Sequence, residues 1–248
     1  MRKLVLKFIF GFVILPLSIA GTLYYLNGRG FFNIQQIEVV LVDPVEGQRA
    51  YLKPLVEQLQ TSLKPYEGVS LWNINLKTVV RTVKGNEWVN RVALKRAWPT
   101  TLQVHVQAHE VKLLYLGKNG KLLPVIGDGT FLDPVEAPQA PDVAVLDGEV
   151  FTKQSALRKK AVDVIEELPA EGSFSRKTVS EIRYDSKEGF WMTLIKTGIQ
   201  VKIGEDQVAL KAARVGKVVD YLESRQFDAR VIDANLSKKV LVRLRKDP

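Results

Sequence analysis

The sequence contains no cysteine and only two histidines. Without thiols the chain has no disulfide, no thiolate zinc site, no iron–sulfur cluster and no cysteine nucleophile. It also lacks the G-x-S-x-G, G-x-x-x-x-G-K and H-E-x-x-H motifs of serine hydrolases, phosphate-binding loops and zinc proteases. These absences exclude the common cysteine-, phosphate-loop- and zinc-dependent sites, and we expect no metal site.

The composition is that of an ordinary globular protein. Of 248 residues, 46% are hydrophobic and 25% are charged, which excludes collagen-like, coiled-coil and wholly disordered chains. The formal net charge is +9, but four basic residues and no acidic one lie in the first thirty positions. The excess over the rest of the chain is mild, so we expect no nucleic acid partner.

Residues 8–26 form nineteen consecutive positions without a charge. As a helix this run is about 28 Å long, close to the hydrocarbon thickness of a bilayer. Arg2, Lys3 and Lys7 precede the run, and the positive-inside rule then leaves residues 1–7 as a cytoplasmic tail and exports the rest of the chain. We predict a single transmembrane signal-anchor over residues 8–26, embedded in the lipid bilayer.

A cleavable signal peptide is the alternative. Ser18, Ile19 and Ala20 before Gly21 give the small-x-small pattern of a cleavage site. The apolar run continues to Leu26 instead of turning polar, which favours the uncleaved anchor. Cleavage would release an exported binding or envelope-assembly module.

Residues 27–109 predict a small α+β unit in the order strand, helix, helix, strand, strand. Apolar residues recur every fourth position from Tyr51 to Leu63, as in a helix, and Asn75 is placed to cap a second helix. Two alternating runs then flank a turn at residues 98–100.

Residues 110–248 predict a mostly antiparallel β domain with flanking helices. A hairpin turns at Lys118-Asn119-Gly120, and a proline-containing stretch after Ile126 is expected to be an extended surface loop. A helix, a three-stranded meander over residues 179–204, a second amphipathic helix and two final strands follow.

Two groups of polar residues have simple structural interpretations. His105 and His109 fall on the face of a strand opposite its apolar residues, which does not favour a metal site. Asp128, Asp133 and Glu136 are explained as a solvated loop better than as paired carboxylates.

Basic and aromatic residues also occur together at Trp88, Lys95, Arg96 and Trp98. This composition is typical of a nucleic-acid surface. Export of the chain favours packing of both tryptophans against the helices instead.

The last predicted strand, Lys238 to Arg245, is the most informative segment. Alternation directs Val240, Val242 and Leu244 to one face and Leu241, Arg243 and Arg245 to the other. A terminal strand is often a sheet edge, which proteins either blunt with cationic residues or use to add a partner's strand. Both interpretations stay open from the residues, and the cations would suit an acidic partner segment.

Several motifs, in order along almost the whole chain, resemble the bacterial cell-division family FtsQ/DivIB. The stretch WVNRVALKRAWPTTLQVHV resembles that family's strand–WP–strand signature, and GFWMTLIKTGIQVKIG resembles its later hairpin. The matching residues are Trp88, Val89, Leu94, Arg96, Trp98, Pro99, Leu102, Val104, Val106, Gly129, Phe131, Leu146, Gly148, Trp191, Leu194, Gly198, Val201 and Gly204.

The resemblance implies a single-pass inner-membrane protein at the midcell septum, with a POTRA domain over residues 27–109 and a β domain over residues 110–248. It implies a non-enzymatic divisome scaffold with no catalytic residue, no cofactor and no small-molecule substrate. This scaffold binds FtsB and FtsL, has FtsK, FtsW and FtsI as further candidate partners, and helps to recruit and regulate septal peptidoglycan synthesis. The implied contact is the last strand and the turn before it. The candidate partner-binding residues are Leu236, Lys238, Lys239, Val240, Leu241, Val242, Arg243 and Leu244.

The final segment also departs from the family pattern D-L-R-Y-x-x-G-x-A-V. Asp233 and Val242 match it, whereas five positions differ. The differing residues are Ala234, Asn235, Leu236, Lys239 and Leu241. At these positions the resemblance therefore implies main-chain pairing with a partner strand, but not the family's side-chain contacts.

Overall fold

A computed structural model describes residues 10–43, 49–117, 120–236 and 239–245. The chain divides into two compact units, the first comprising Met1–Pro44 and Leu52–Ala108 and the second Val45–Tyr51 and His109–Pro248. The predicted cytoplasmic tail and the first two residues of the predicted anchor lie outside the described residues, as do Lys118 and Asn119 of the predicted hairpin turn.

The first unit begins with the apolar helix. A π-helical turn, Phe10–Ile14, leads into helix α1, Leu15–Gly28, with Pro16 in its first turn. Over Gly11–Gly28 the mean hydropathy is 1.3 and no residue is buried within the protein. Within the described part of the chain this is the one helix long and apolar enough to cross a membrane.

The rest of the first unit has the predicted order of strands and helices. Strand β3 is central, parallel to β1 and antiparallel to β2. Every second residue of β3 from Leu102 to Val106 is fully buried, as are Leu63 and Val79 from the two helices. Asn75 caps the second helix as predicted, its Oδ1 accepting from the Lys77 N–H at 3.1 Å. The elements are β1 (Gln36–Leu41), α2 (Arg49–Leu63), α3 (Leu76–Lys84), β2 (Val89–Ala97) and β3 (Thr101–Ala108).

The two tryptophans predicted to pack against the helices, Trp88 and Trp98, have different environments. Trp88 is buried, as predicted. The prediction that Trp98 packs against the helices is wrong, because its side chain is half exposed and its ring contacts those of Phe32 and Trp72. Arg96 is used internally: its Nε donates to the Leu71 carbonyl at 2.8 Å.

The second unit is an eight-stranded sheet with helices, in the order β11-β10-β9-β8-β7-β6-β4-β5. Its strands are β4 (Val111–Leu116), β5 (Leu122–Ile126), β6 (Val145–Asp147), β7 (Val179–Asp185), β8 (Gly189–Leu194), β9 (Gln200–Gly204), β10 (Ala229–Asp233) and β11 (Leu241–Leu244). Its helices are α4 (Val150–Lys153), α5 (Ser155–Glu166) and α6 (Val208–Ser224).

The sheet is mixed, with four antiparallel and three parallel pairs. The predicted β4–β5 hairpin and the β7–β8–β9 meander are present. Two parallel pairs, β6–β7 and β9–β10, are joined through helices, because a parallel connection must cross back over the sheet. The two longer helices, α5 and α6, were predicted, but the short helix α4 and the role of the helices as crossovers were not.

The predicted surface loop after Ile126 contains an internal strand. Strand β6 lies between β4 and β7, and its Leu146 is 1% exposed. Three residues are too few to show alternation, and Pro141 nearby favours a loop in the sequence. The expectation of a surface loop throughout this stretch is therefore wrong.

One row of core side chains crosses five strands of the sheet. The row runs from one strand to the next through four almost completely buried residues, each of which lies opposite the following one in the register: Ile182, Met192, Val201 and Ile232. Val242 on β11 is the next neighbour in this row and packs against the same core. The last strand is thus fixed to the sheet by its inner face.

Candidate partner-binding edge

Strand β11 lies at one edge of the eight-stranded sheet. It pairs antiparallel with β10, and among the described residues no strand pairs with its other side. The Arg245 N–H donates to the Asp228 carbonyl at 2.8 Å on the β10 side. Because peptide groups alternate in direction along a strand, those of Val242 and Leu244 face the open side. This edge therefore offers free main-chain donors and acceptors.

The strand is shorter than the predicted segment of Lys238 to Arg245. Lys238 lies outside the described residues, and Lys239 and Val240 precede the strand without regular structure. Val240 packs against the chain's own core, whereas we expected it to contact a guest. Leu236 is half-buried in the preceding bend.

The side chains of β11 alternate between the two faces of the sheet only partly as predicted. Val242 faces the core, and Leu241 and Arg243 are exposed on the opposite face. Leu244 was expected to share the face of Val242, but it is half exposed. A register shift between Ala229 and Val231 of the neighbouring strand accompanies this change at the end of β11.

The opposite edge of the sheet is closed. The segment after β5 folds back on it, with bridges that join Leu122 to Val135 and Val125 to Phe131. The Leu132 N–H donates to the carbonyl of Pro124 at 2.9 Å. Pro124 itself has no N–H to offer, a usual way of protecting an edge. Within the described chain the two edges of this sheet therefore differ: one is covered and one is open.

A groove of about 690 Å³ lies beside the open edge, on the face of the sheet away from the core. Four cationic and two acidic side chains line it, together with apolar residues. The lining residues are Glu188, Trp191, Gln200, Lys202, Arg230, Val231, Asp233, Leu241, Arg243, Leu244 and Arg245.

Some cations of this groove have acidic partners within the chain and others do not. The Lys202 ammonium lies 2.9 Å from Glu188 and 3.7 Å from Asp233, and the hydrogen bond to Glu188 is the main reason why the pKa of Lys202 is raised. In the described residues, Arg230 and Arg243 form no ion pair. The groove therefore has positive charge left for an acidic partner residue.

Trp191 provides an aromatic surface inside the groove. The Lys202 ammonium is 5.8 Å from its ring centroid, and the Arg183 guanidinium is 5.4 Å from it. A strand added at β11 would place alternate side chains toward this groove. The arrangement suits an extended segment that combines apolar and acidic residues.

Lys211 and Asn235 position the approach to the last strand and were not identified from the sequence. Lys211 on α6 is 4% exposed, and its Nζ donates to the Ile203 carbonyl at 3.0 Å, to Asp206 at 2.6 Å and to Asn235 Oδ1 at 3.0 Å. Asn235 Nδ2 in turn donates to the Glu188 carbonyl at 3.3 Å. The sequence does contain a signal for Lys211, because this lysine falls within the apolar face of the predicted helix.

Gly204 is required by the same arrangement. Its φ is +78°, and a Cβ there would overlap the side-chain amide of Asn235. A side chain at this position would be strained and would displace Asn235. This explains physically why the hairpin motif ends in glycine.

The other polar residues do not assemble into a site. In the part of the chain that the structure describes, no three His, Asp or Glu side chains lie close enough to hold a metal ion. Asp128 accepts from the Thr130 N–H at 2.9 Å, so it stabilises a turn at the start of the predicted loop. Burial lowers the pKa of His109, and the nearby charge of Asp128 opposes this shift.

Comparison with known proteins agrees with the two units. Residues 45–109 match the family model "POTRA domain, FtsQ-type", and residues 114–235 match "Cell division protein FtsQ/DivIB, C-terminal". The α+β fold with a POTRA domain is thereby established.

Curated relatives named cell division protein FtsQ or DivIB match this chain. Cell division protein FtsQ of Geotalea daltonii is 26% identical over 235 residues, which are 90% of this chain and 80% of that protein. The FtsQ of a Geobacter species is 28% identical over 195 residues, 75% of this chain and 70% of that protein. DivIB of Bacillus cytotoxicus is 27% identical over 115 residues, 46% and 42% of the two chains. This chain belongs to the FtsQ/DivIB family of cell-division proteins.

Proposed function

We propose that the protein is a non-enzymatic, single-pass membrane scaffold of the bacterial divisome that binds an FtsB- or FtsL-like partner by adding the partner's strand to β11. The observation that supports this proposal most directly is the open β11 edge beside a cationic groove, in a sheet whose other edge is covered. Plain blunting of the edge by cations would not require a groove with an aromatic surface.

Main-chain pairing supplies the affinity in this proposal. The outward N–H and C=O groups of Val242 and Leu244 continue the sheet ladder into a guest strand. Leu241 and Arg243, which line the groove, contact its side chains on one face. Lys238, Lys239 and Leu236 are proposed to flank the guest at its end.

In this proposal helix α1 is the membrane anchor and the β11 edge belongs to the exported part of the chain. The tail before it is basic, so the N-terminus stays in the cytoplasm and the bulk of the chain faces the periplasm. The protein then helps to recruit and regulate septal peptidoglycan synthesis at midcell, with FtsK, FtsW and FtsI as further candidate partners.

The substitution Val242→Pro tests strand addition. Proline removes an outward N–H and is tolerated at an edge, so the sheet is expected to fold while partner binding weakens by about tenfold or more. The measurement is the affinity of the full chain, in detergent, for its FtsB- and FtsL-like partners, with thermal unfolding as the check on folding.

Two further variants make this test specific. Val242→Ala removes side-chain atoms but keeps the N–H, and it is expected to bind almost normally. Leu244→Pro removes the next outward N–H at a position that contributes less to the core, and it is expected to behave like Val242→Pro. Unchanged binding by both proline variants would place the partner on a different surface.

The alternative is a cleaved, freely exported binding module. N-terminal sequencing of the mature protein distinguishes the two proposals. A start at Gly21 would support release, and retention of the residues before Gly21 would support the anchor.

A further inference from the structure

An aromatic cluster is exposed on the first unit. The side chains of Phe31, Trp72 and Trp98 are 52%, 51% and 52% exposed and are grouped around the buried Phe32. The ring centroids of Trp72 and Trp98 lie 5.9 Å apart, and those of Phe32 and Trp98 lie 5.6 Å apart. We call Phe31, Trp72 and Trp98 the aromatic patch. Contiguous apolar surface of this kind usually marks an interaction site.

The patch lies beside the end of helix α1. The Phe31 N–H donates to the Leu26 carbonyl at 3.1 Å, and the Ser70 hydroxyl donates to Asn27 Oδ1 at 2.6 Å. The loop that carries Trp72 is therefore bonded directly to the last turn of the apolar helix.

Trp72 also reaches back along the helix. Trp72 and Asn73 line one groove of about 370 Å³ together with Ala20, Leu23, Tyr24 and Asn27. With a rise of 1.5 Å per residue, Leu23 and Ala20 lie about 4.5 Å and 9 Å before Leu26, the end of the charge-free run. The Trp72 side chain is thus level with the final turns of the segment that crosses the bilayer.

The loop of Trp72 is held on both sides. The Leu71 N–H donates to the Phe32 carbonyl at 2.7 Å, and Arg96 donates to the carbonyls of Leu71 at 2.8 Å and Ile74 at 3.4 Å. These bonds fix the backbone on either side of Trp72. The tryptophan is consequently presented at a fixed position.

We propose that the aromatic patch inserts into the lipid interface next to α1, so that the first unit binds the bilayer surface through its own folded domain. This inference rests on the proposed membrane anchoring. Around a transmembrane helix the medium at the level of Leu23 is lipid, and tryptophan is favoured at the boundary between hydrocarbon and headgroups. Tyr24, which is also exposed, lines the same groove as Trp72 and extends the aromatic surface along the helix.

Quenching of tryptophan fluorescence by brominated lipids tests this proposal in the full chain reconstituted in nanodiscs. A variant with Trp88→Phe, Trp98→Phe and Trp191→Phe retains only Trp72. Its emission is expected to fall strongly when the acyl chains carry bromine near the headgroup. The matched control retains only Trp191, which lies in the second unit, and its emission is expected to be unchanged.

A simpler variant covers the case in which the triple substitution disturbs folding. Trp72→Phe in the otherwise native chain is expected to remove a large part of the bromine-dependent quenching. Equal quenching with and without this substitution overturns the proposal.

Failure of the patch and failure of the anchor give different results. If the chain floats with lipid vesicles and resists carbonate extraction but Trp72 is insensitive to bromine, the anchor stands and the patch proposal is overturned. If the chain does not float with vesicles, the proposed anchoring itself fails. If bromine has no effect and Trp72 becomes shielded only when partner proteins are added, the patch is a protein-binding site and the lipid proposal is overturned.

Discussion

Among single residues, Lys211 has the most demanding environment. Its ammonium group is buried and bonds to the Ile203 carbonyl of β9, to Asp206 just before helix α6 and to Asn235 in the segment that leads to β11. A buried cation is tolerated only when its hydrogen bonds are satisfied. The hydrogen bonds of Lys211 therefore stabilise the domain and also hold Asn235, which precedes the last strand, in place.

Replacing Lys211 by methionine is expected to lower the free energy of unfolding by about 1–3 kcal/mol, because the Ile203 carbonyl and Asn235 lose a charged donor. Denaturant unfolding of the full chain in detergent measures this change. Lys217→Met is the matched control, since Lys217 is an exposed residue of the same helix. Equal stability of the two variants would show that the buried bonds contribute little.

Local sequence signals predicted some residues and not others. Asn75 was identified as a helix cap because the cap depends on neighbours along the chain. Trp72 and Lys211 were missed because their partners, Trp98 and Asn235, are distant in sequence and are brought close only by the fold.

At the level of elements, β11 combines an open edge with positive charge. Arg230 on β10 and Arg243 on β11 line the groove and, within the described residues, have no acidic partner. Their guanidinium groups can pair with a carboxylate on an added strand. The surrounding charge also accelerates the encounter with an acidic segment.

Reversing this charge with Arg243→Glu is expected to weaken partner binding by about tenfold at low salt, and by less at high salt because screening reduces the repulsion. The affinity measured at two ionic strengths tests this expectation. Arg225→Glu is the control, because Arg225 follows α6 and does not line the groove. A salt-independent effect would argue against electrostatic recognition.

The elements with clear periodicity were predicted, and the pairings between distant ones were not. The meander of β7, β8 and β9 follows from alternating runs separated by short turns. The parallel pairing of β6 with β4 and β7 joins segments that are far apart in sequence, and β6 is too short to show a pattern. Its position depends on tertiary packing.

For the whole molecule, the proposal requires one orientation in the membrane. The basic residues Arg2, Lys3 and Lys7 precede the apolar helix and are expected to keep the N-terminus in the cytoplasm. A reporter enzyme that is active only in the periplasm, fused after Pro248, is expected to be active. The same reporter fused after Lys7 is the control and is expected to be inactive.

A fluorescent protein fused before Met1 is then expected to label a ring at midcell in dividing cells. Diffuse labelling of the whole envelope, with partner binding intact, would contradict a septal role. An inactive periplasmic reporter would contradict the orientation itself.

Among the described residues β11 is the one uncovered edge of this sheet, and this feature also bears on self-association. Two copies of the chain could pair through β11. In such a pair Arg243 and its neighbouring arginines in one copy would face the same residues in the other copy. Repulsion between these positive charges disfavours the homodimer, whereas the carboxylates of an acidic guest strand would compensate them. If the proposed strand addition is correct, the positive charge beside β11 would therefore favour an acidic guest strand over a second copy of the chain.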